Sequence, residues 1–141
     1  SATKAVKIGS FDISNDEIAK IIDAVKTVAD VKKLVTETLA EKKSTRTTHI
    51  LEIVLAGALA LKASDVHVEP EQDYVRLRYR LDGVLTDIIE FDMETFKLLL
   101  SRIKLLSGLK LNVNAEAQDG RFSVKTKNES IEVRTSVLPG P

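Results

Sequence analysis

The chain has 141 residues and no cysteine, and its 21 basic residues are balanced by 21 acidic ones. Because 43% of the residues are apolar, the chain can bury the core of one ordinary domain and still carry an appendage. The zero net charge offers no global attraction for nucleic acid or an anionic membrane, and the lack of cysteine excludes disulfides, thiolate metal sites and thiol nucleophiles.

The apolar segments are too short to cross a membrane. The longest run, from Ile53 to Leu61, ends at Lys62, whereas a spanning helix needs about 20 apolar residues. The sequence therefore predicts no membrane insertion, and a cytoplasmic location is the default for a chain without cysteine.

The first predicted elements are helical. Ser14 and Glu17 have the spacing of a capping box, which predicts a helix start. Apolar residues then recur at helical spacing: Ile18, Ile21, Ile22, Val25 and Val28, followed by Val31, Leu34, Val35 and Leu39. The second run either continues this helix or restarts at Asp30, and two short helices are favoured. The polar segment 41–48 predicts a boundary between a helical connector, residues 1–48, and a domain of residues 49–141, whose first helix begins at Thr47 or Thr48.

Alternating residues predict three antiparallel strands. Within 65–69 the polar residues share one face, and within 75–81 three arginines do. A hairpin of these two strands places a potential partner opposite each arginine: Asp65 with Arg80, His67 with Arg78 and Glu69 with Arg76. Asp82 and Gly83 favour a type I′ turn, so that a third strand over 84–91 brings Asp87 opposite Arg78.

Two core helices and a second hairpin complete the predicted fold. Residues 50–61 are apolar on every side, and Asp92 can cap a helix that ends at Gly108. The apolar stripe of that helix comprises Phe96, Leu99, Leu100, Ile103 and Leu106, and its opposite face carries Lys97, Arg102 and Lys104. The last hairpin pairs 121–127 with 130–137 around Asn128 and Glu129, with Phe122, Val124, Ile131 and Val133 inward. We predict an α+β fold, an antiparallel sheet of about five strands packed on two helices and preceded by a helical segment.

The charged strand faces have a simpler explanation than catalysis or nucleic-acid binding. Asp65, His67 and Glu69 could suggest a metal site, but residues two apart on a strand lie roughly 6 to 7 Å apart, too far to converge on one tetrahedral ion. The three arginines of the next strand could bind nucleic acid, but each has an acidic neighbour on its face. Local ion pairing is therefore favoured. No serine in an elbow motif accompanies either histidine.

The segment 118–121, Gln-Asp-Gly-Arg, is a candidate phosphate-binding feature. Asp119 and Gly120 allow a tight turn that presents Arg121 at a strand start, and Arg134 on the paired strand lies on the same polar face. Two arginines placed in this way could clamp a phosphate held by another domain. The alternative is a pair of surface arginines neutralised by acidic neighbours, namely Asp119, Glu129 or Glu132.

Five sequence blocks together resemble the secretion and type IV pilus assembly ATPases of bacteria. Residues 63–70 are similar to the family's A-S-D-[IV]-H-[IV]-E-P, and 118–121 to its Q-D-G-R. The remaining blocks are 78–83 for R-x-R-x-D-G, 102–104 for R-[IV]-K and 134–139 for R-x-S-x-L-P. Before Q-D-G-R the family usually has E-R-R-x-P, whereas Val113, Asn114, Ala115 and Ala117 stand here, which suggests a divergent branch.

This resemblance implies a non-catalytic domain, the second N-terminal domain of such an ATPase, with a PAS-like α/β sandwich fold. None of the six glycines is followed by lysine, so the phosphate loop of the motor domain is absent and the chain resembles the piece that precedes the motor. ATP and Mg²⁺ are expected in the full-length parent only. The resemblance implies that Arg121 and Arg134 first, and Arg80 and Arg102 second, approach the nucleotide phosphates across an interdomain cleft.

The implied partners are the motor domain of the same protein, the neighbouring subunits of a hexamer, and the platform and docking proteins of the inner membrane. The implied location is cytoplasmic, peripheral at the inner face of that membrane. The alternative function is a stand-alone PAS-like sensor or protein-interaction module. A sensor needs polar groups that converge in its core, and the predicted inward residues offer only the Tyr79 hydroxyl. Whether the system served is secretion or pilus assembly stays open, as does the upstream domain.

Overall fold

A computed structural model describes residues 10–12, 15–109, 111, 117–125 and 130–137. The chain forms two compact units, one of residues 16–99 and one that combines Ser1–Asn15 with Leu100–Pro141. Within the described residues, none of the helices has the length and apolar character needed to span a bilayer. The boundary at residue 48 stays a prediction.

The N-terminal region contains two helices, α1 (Asn15–Ala24) and α2 (Val28–Thr38). A capping box starts α2: the Asp30 amide donates to Thr27 Oγ1 at 3.3 Å, and the Thr27 amide donates to Asp30 Oδ2 at 3.0 Å. Backbone donors of Lys26 and Thr27 lower the pKa of Asp30. The prediction of two short helices is therefore confirmed, but α2 begins at Val28, two residues before the predicted restart at Asp30. The predicted cap at Ser14 lies outside the described residues.

Helix α3 (Lys43–Ala60) begins inside the polar segment predicted as a boundary. The amides of Thr45 and Arg46 both donate to the Lys42 carbonyl, which closes a first turn that is largely exposed. An exposed turn has no apolar period, so the sequence pattern could not reveal it. Further along, α3 is buried at Ile50 and Ile53.

The first sheet has the order β2-β3-β4 and is antiparallel, with β2 at Asp65–Pro70, β3 at Val75–Leu81 and β4 at Val84–Phe91. The predicted register is confirmed, including Asp65 opposite Arg80 and Asp87 opposite Arg78. Asp82 and Gly83 both have positive φ, 50° and 82°, as a type I′ turn requires. A bulge in β4 at Ile88 shifts the register between Leu77 and Arg78.

The apolar face of β3 lies in the core of the unit of residues 16–99. Val75, Leu77 and Tyr79 are fully buried. The Tyr79 hydroxyl donates to the Val54 carbonyl of α3 at 2.6 Å, and burial raises the pKa of this tyrosine. A Cβ added at Gly57 would lie 2.9 Å from that hydroxyl and 3.0 Å from Val31 Cγ2. The only hydroxyl of the predicted inward residues is therefore used to join β3 to α3.

Helix α4 (Met93–Ser107) has the predicted bounds. Asp92 Oδ2 accepts from the Thr95 amide at 3.1 Å, and Gly108 has the left-handed φ of 74° that favours glycine at a helix end. One prediction is wrong, because Lys104 is only 3% exposed. It lies three residues before the buried Ser107, hence on the same face, where the aliphatic stem of a lysine can pack.

A second sheet has the order β1-β5-β6, with β1 at Ser10–Asp12, β5 at Gln118–Lys125 and β6 at Ser130–Val137. β1 runs parallel to β5, and β5 runs antiparallel to β6. The described strands thus form two sheets of three rather than one sheet of about five. The α+β class is confirmed. The predicted hairpin of 121–127 with 130–137 is wrong in register by two residues, because Lys125 rather than residue 127 lies opposite Ser130. The turn residues Asn128 and Glu129 and the inward side chains of β5 and β6 lie outside the described part of the chain.

Candidate functional site

The four predicted phosphate-binding arginines fall in both units of the chain. Arg80 lies on β3, in the unit of residues 16–99. Arg102 lies on α4, Arg121 on β5 and Arg134 on β6, all in the other unit. Arg102 and Arg121 are exposed, and each already takes part in an interaction.

The register of the β5–β6 hairpin pairs Arg121 with Arg134 as direct Cα partners. Direct partners in an antiparallel pair share one face of the sheet and have Cβ atoms about 4.5 to 5.5 Å apart. The positions Ser123 and Glu132 form the next pair on this face, so an acidic residue stands one pair away. Like charges directly opposite each other are destabilising unless an anion compensates them.

The tight turn predicted at Asp119 and Gly120 is wrong. All four residues lie within β5, and Gly120 pairs with Thr135. A Cβ at Gly120 would lie 2.6 Å from the Ser107 carbonyl oxygen and 2.9 Å from Leu109 Cδ2. Gly120 therefore permits close approach of β5 to the C-terminal end of α4, a role that sequence alone cannot distinguish from a turn.

The polar face of β2 and β3 is a network of ion pairs. Arg80 Nε lies 3.0 Å from Asp65 Oδ2, and Arg80 Nη1 lies 3.3 Å from the Gly83 carbonyl oxygen. The pKa of Asp65 is lowered first by the Ser64 hydroxyl, and further by His67 and Arg80. Arg80 is consequently already bound to two acceptors.

Glu69 pairs with Arg78, not with Arg76 as the register had suggested. Arg78 Nε donates to Glu69 Oε1 at 3.1 Å, and this hydrogen bond is the first cause of the lowered pKa of Glu69. Arg76 instead donates to the Tyr74 hydroxyl at 2.8 Å, with its guanidinium 5.8 Å from the centre of that ring. Long side chains can reach the diagonal neighbour across a strand pair, which the register alone does not decide.

His67 belongs to the same network. Its Nε2 lies 2.6 Å from Asp65 Oδ1, so the histidine contacts the carboxylate that also binds Arg80. In the part of the chain that the structure describes, no three histidine or carboxylate side chains are grouped as a metal site. The ion pairing predicted for this face is confirmed, with the change of partner for Glu69.

Comparison with known proteins assigns this chain to a family. The profile of the family described as Type II/IV secretion system protein matches residues 40–140. Type II secretion system protein E of Pectobacterium carotovorum subsp. carotovorum is 37% identical over 90 residues, which cover 64% of this chain and 18% of that protein. The putative Type II secretion system protein E of Escherichia coli strain K12 is 34% identical over 101 residues, or 72% of this chain and 20% of that protein.

A more extended match is Type II secretion system protein HxcR of Pseudomonas aeruginosa, 28% identical over 127 residues, which cover 86% of this chain and 27% of that protein. The chain therefore spans 18 to 27% of the length of these three relatives. The family profile covers well over half of the chain and begins within the turn between α2 and α3. This chain belongs to the family of Type II/IV secretion system proteins.

Proposed function

We propose that this chain is a non-catalytic domain of a secretion ATPase, in which Arg121 and Arg134 contact the phosphates of a nucleotide held by the motor domain of the same longer protein. The single observation that carries the proposal is the direct pairing of these two arginines across β5 and β6. Family membership supplies the context, because the relatives are several times longer than this chain and carry type II secretion names.

The paired arginines suit a phosphate ligand for a physical reason. A guanidinium can donate two parallel N–H···O hydrogen bonds to a phosphate. Two arginines whose Cβ atoms lie about 5 Å apart can reach one phosphoryl group from the same side. The anion also removes the repulsion between the two cations. An anion bound by both side chains therefore offsets the repulsion expected between two cations at directly opposite positions.

Arg102 and Arg80 come second. Arg102 is exposed on α4 and can turn toward a ligand only by changing its present interaction. Arg80 would have to release Asp65 Oδ2, 3.0 Å away, and the carbonyl of Gly83. For Arg80, the free energy of a phosphate contact would therefore be offset in part by the loss of these two contacts.

The nucleotide itself is assigned to the motor domain. Backbone amides of a phosphate loop form the main cradle of a bound triphosphate, and no glycine of this chain is followed by lysine. In the proposed assembly, ATP and Mg²⁺ bind the motor domain, six subunits form a ring, and the arginines of this domain close on the phosphates from across the cleft. The domain then moves as a rigid body when nucleotide binds and leaves.

The domain also has an expected fold, cellular location and set of partner proteins. The domain has a PAS-like sandwich fold, works at the cytoplasmic face of the inner membrane, and reaches the membrane through platform and docking proteins bound by the upstream region. The system served is type II secretion, in keeping with the names of the relatives.

Hydrogen exchange of the full-length protein tests this function. Adding Mg²⁺ and a nonhydrolysable ATP analogue should slow exchange of the β5 and β6 amides by about threefold or more, since ligand contacts suppress local opening. The isolated chain should show no such change, because it lacks a phosphate loop. Unchanged exchange in β5 and β6 of the full-length protein, with the motor domain demonstrably occupied, would count against the proposal.

A further inference from the structure

His49 lies where α1, α3 and the turn after α2 meet. Its side chain is 34% exposed. The Nδ1 atom lies 3.0 Å from Glu41 Oε2 in the turn, and the Nε2 atom lies 3.9 Å from Glu17 Oε2 on α1. The two ring nitrogens therefore face carboxylates from two different elements, both inside the unit of residues 16–99.

Whether His49 can bind both carboxylates depends on the protonation state of its imidazole ring. A neutral imidazole has one N–H donor and one acceptor, whereas the imidazolium has two donors. Neutral His49 can keep its shorter contact, to Glu41, but then presents a lone pair to the Glu17 carboxylate. Only the charged ring attracts both carboxylates at once. The contact to α1 is thus the one that needs the second proton.

Several acidic side chains lie near His49, so a positive charge on its ring reduces the repulsion among them. The cleft beside it, of about 240 Å³, is lined by Lys20 of α1 and Glu37 of α2. Glu52 of α3 faces the same histidine, and its pKa is raised by burial and then by the Glu17 charge, while His49 opposes that shift. Glu17 and Glu41 contact the ring, Glu37 lines the same cleft, and Glu52 interacts with the ring electrostatically. Lys20 also lines this cleft, and it keeps a positive charge there when His49 is neutral.

Helix α1 is the element most affected by such a change. It packs through Ile18 and Ile21, and Val25 directly after the helix continues this apolar stripe; each of the three is no more than 5% exposed. Its acidic residue Glu17 lies one position from that stripe and contacts His49. Repulsion at Glu17 therefore acts directly on the packed side of the helix.

We infer that His49 is a proton-dependent clamp that holds α1 against α2 and α3. Protonated His49 bridges Glu41 and Glu17, and loss of the proton releases Glu17 and loosens α1. Histidine is the side chain whose charge ordinarily changes between pH 5 and 8. Docking of α1 is therefore strongest in mild acid and weakens as the pH rises through neutrality. This device is independent of the proposed contact between the arginines and phosphate.

Protection factors from hydrogen exchange test the clamp, after correction for the intrinsic pH dependence of exchange. Between pH 5.5 and pH 8.5, protection of the α1 amides relative to those of α3 should fall by about two- to fivefold, as expected when contacts of partly exposed ion pairs are lost. His49→Gln should remove this pH dependence and give α1 its high-pH protection at both values. The control His67→Gln, at the other histidine, should retain the wild-type response.

Glu17→Gln separates the clamp from a general effect of pH or of folding. This variant leaves His49 in place but removes its partner on α1, so α1 protection should become independent of pH. If His49→Gln also lowers protection throughout α3, the variant has lost its fold and Glu17→Gln decides the question. A wild-type pH response that survives in Glu17→Gln, or an α1 protection that is constant with pH in the wild type, overturns the inference.

Discussion

Replacing Arg121 or Arg134 with alanine in the full-length protein is expected to lower ATP turnover by about ten- to a thousandfold, because either change would remove the proposed charge-assisted contact to the nucleotide phosphates. On the scale of about 1.4 kcal/mol per factor of ten, this is about 1.4 to 4 kcal/mol of lost stabilisation. Arg121 is exposed, so its replacement should change folding stability by less than about 0.5 kcal/mol. Lysine should rescue poorly, since a point charge does not reproduce the planar fork.

Arg76 provides the matched control. It lies on a strand, as Arg121 does, but its guanidinium donates a 2.8 Å hydrogen bond to the Tyr74 hydroxyl and lies over that ring, 5.8 Å from its centre. Arg76→Ala should therefore leave turnover near the wild-type rate. Steady-state kinetics of the purified variants check this. If Arg76→Ala cripples the motor while the Arg121 and Arg134 variants stay near wild type, the wrong arginines have been chosen.

Replacing Gly120 with alanine should destabilise the chain by about 1 to 3 kcal/mol, the range for overpacking of a well-packed site. The added Cβ would lie 2.6 Å from the Ser107 carbonyl oxygen, which is backbone at the end of α4 and cannot turn aside. Urea unfolding followed by circular dichroism measures the loss. The motif 118–121 thus combines a glycine that is needed for packing with an arginine that is proposed for function.

Gly57→Ala is the comparison for this prediction. Its Cβ would also be crowded, at 2.9 Å from the Tyr79 hydroxyl and 3.0 Å from Val31 Cγ2, and both neighbours are buried side chains that can move only by repacking. The better helix propensity of alanine, worth up to about 1 kcal/mol, offsets part of the cost within α3. We expect a net loss of about 1 to 2 kcal/mol, below that of Gly120→Ala because side chains can repack where a backbone carbonyl cannot. An equal or larger loss for Gly57→Ala than for Gly120→Ala would show that the backbone contact at Ser107 is not limiting.

The sequence predicted the first sheet well because its signals are local. Alternation and the turn at Asp82 and Gly83 together determine the register, since a slip by one residue would put the arginines of β3 in the core. The side-chain partners were harder to predict. Glu69 binds Arg78 rather than the directly opposite Arg76, because side-chain reach and the competing ring of Tyr74 decide the pairing.

The remaining differences come from contacts between distant parts of the chain. β1 pairs in parallel with β5, more than 100 residues later, and three residues carry no alternation signal of their own. Gly120 was interpreted as a turn residue because its close contact, Ser107, belongs to another element. Lys104 is buried on the face that it shares with Ser107, although its charge predicts exposure. Arg121 and Arg134 are indicated by the residue pattern as well as by the motif resemblance, and Arg80 and Arg102 by the resemblance. The direct pairing of Arg121 with Arg134 comes from the structure.

Nucleotide affinity of the full-length protein tests the central claim most directly. Binding of a nonhydrolysable ATP analogue and of ADP can be compared in the wild type, Arg121→Ala, Arg134→Ala and the double variant. If both arginines contact the terminal phosphate, each single change should weaken the analogue by about tenfold or more and leave ADP within about twofold. The double variant should lose less than the sum of the two, as expected for residues that share one ligand. Equal affinity of all four proteins for the analogue would contradict a phosphate clamp at β5 and β6.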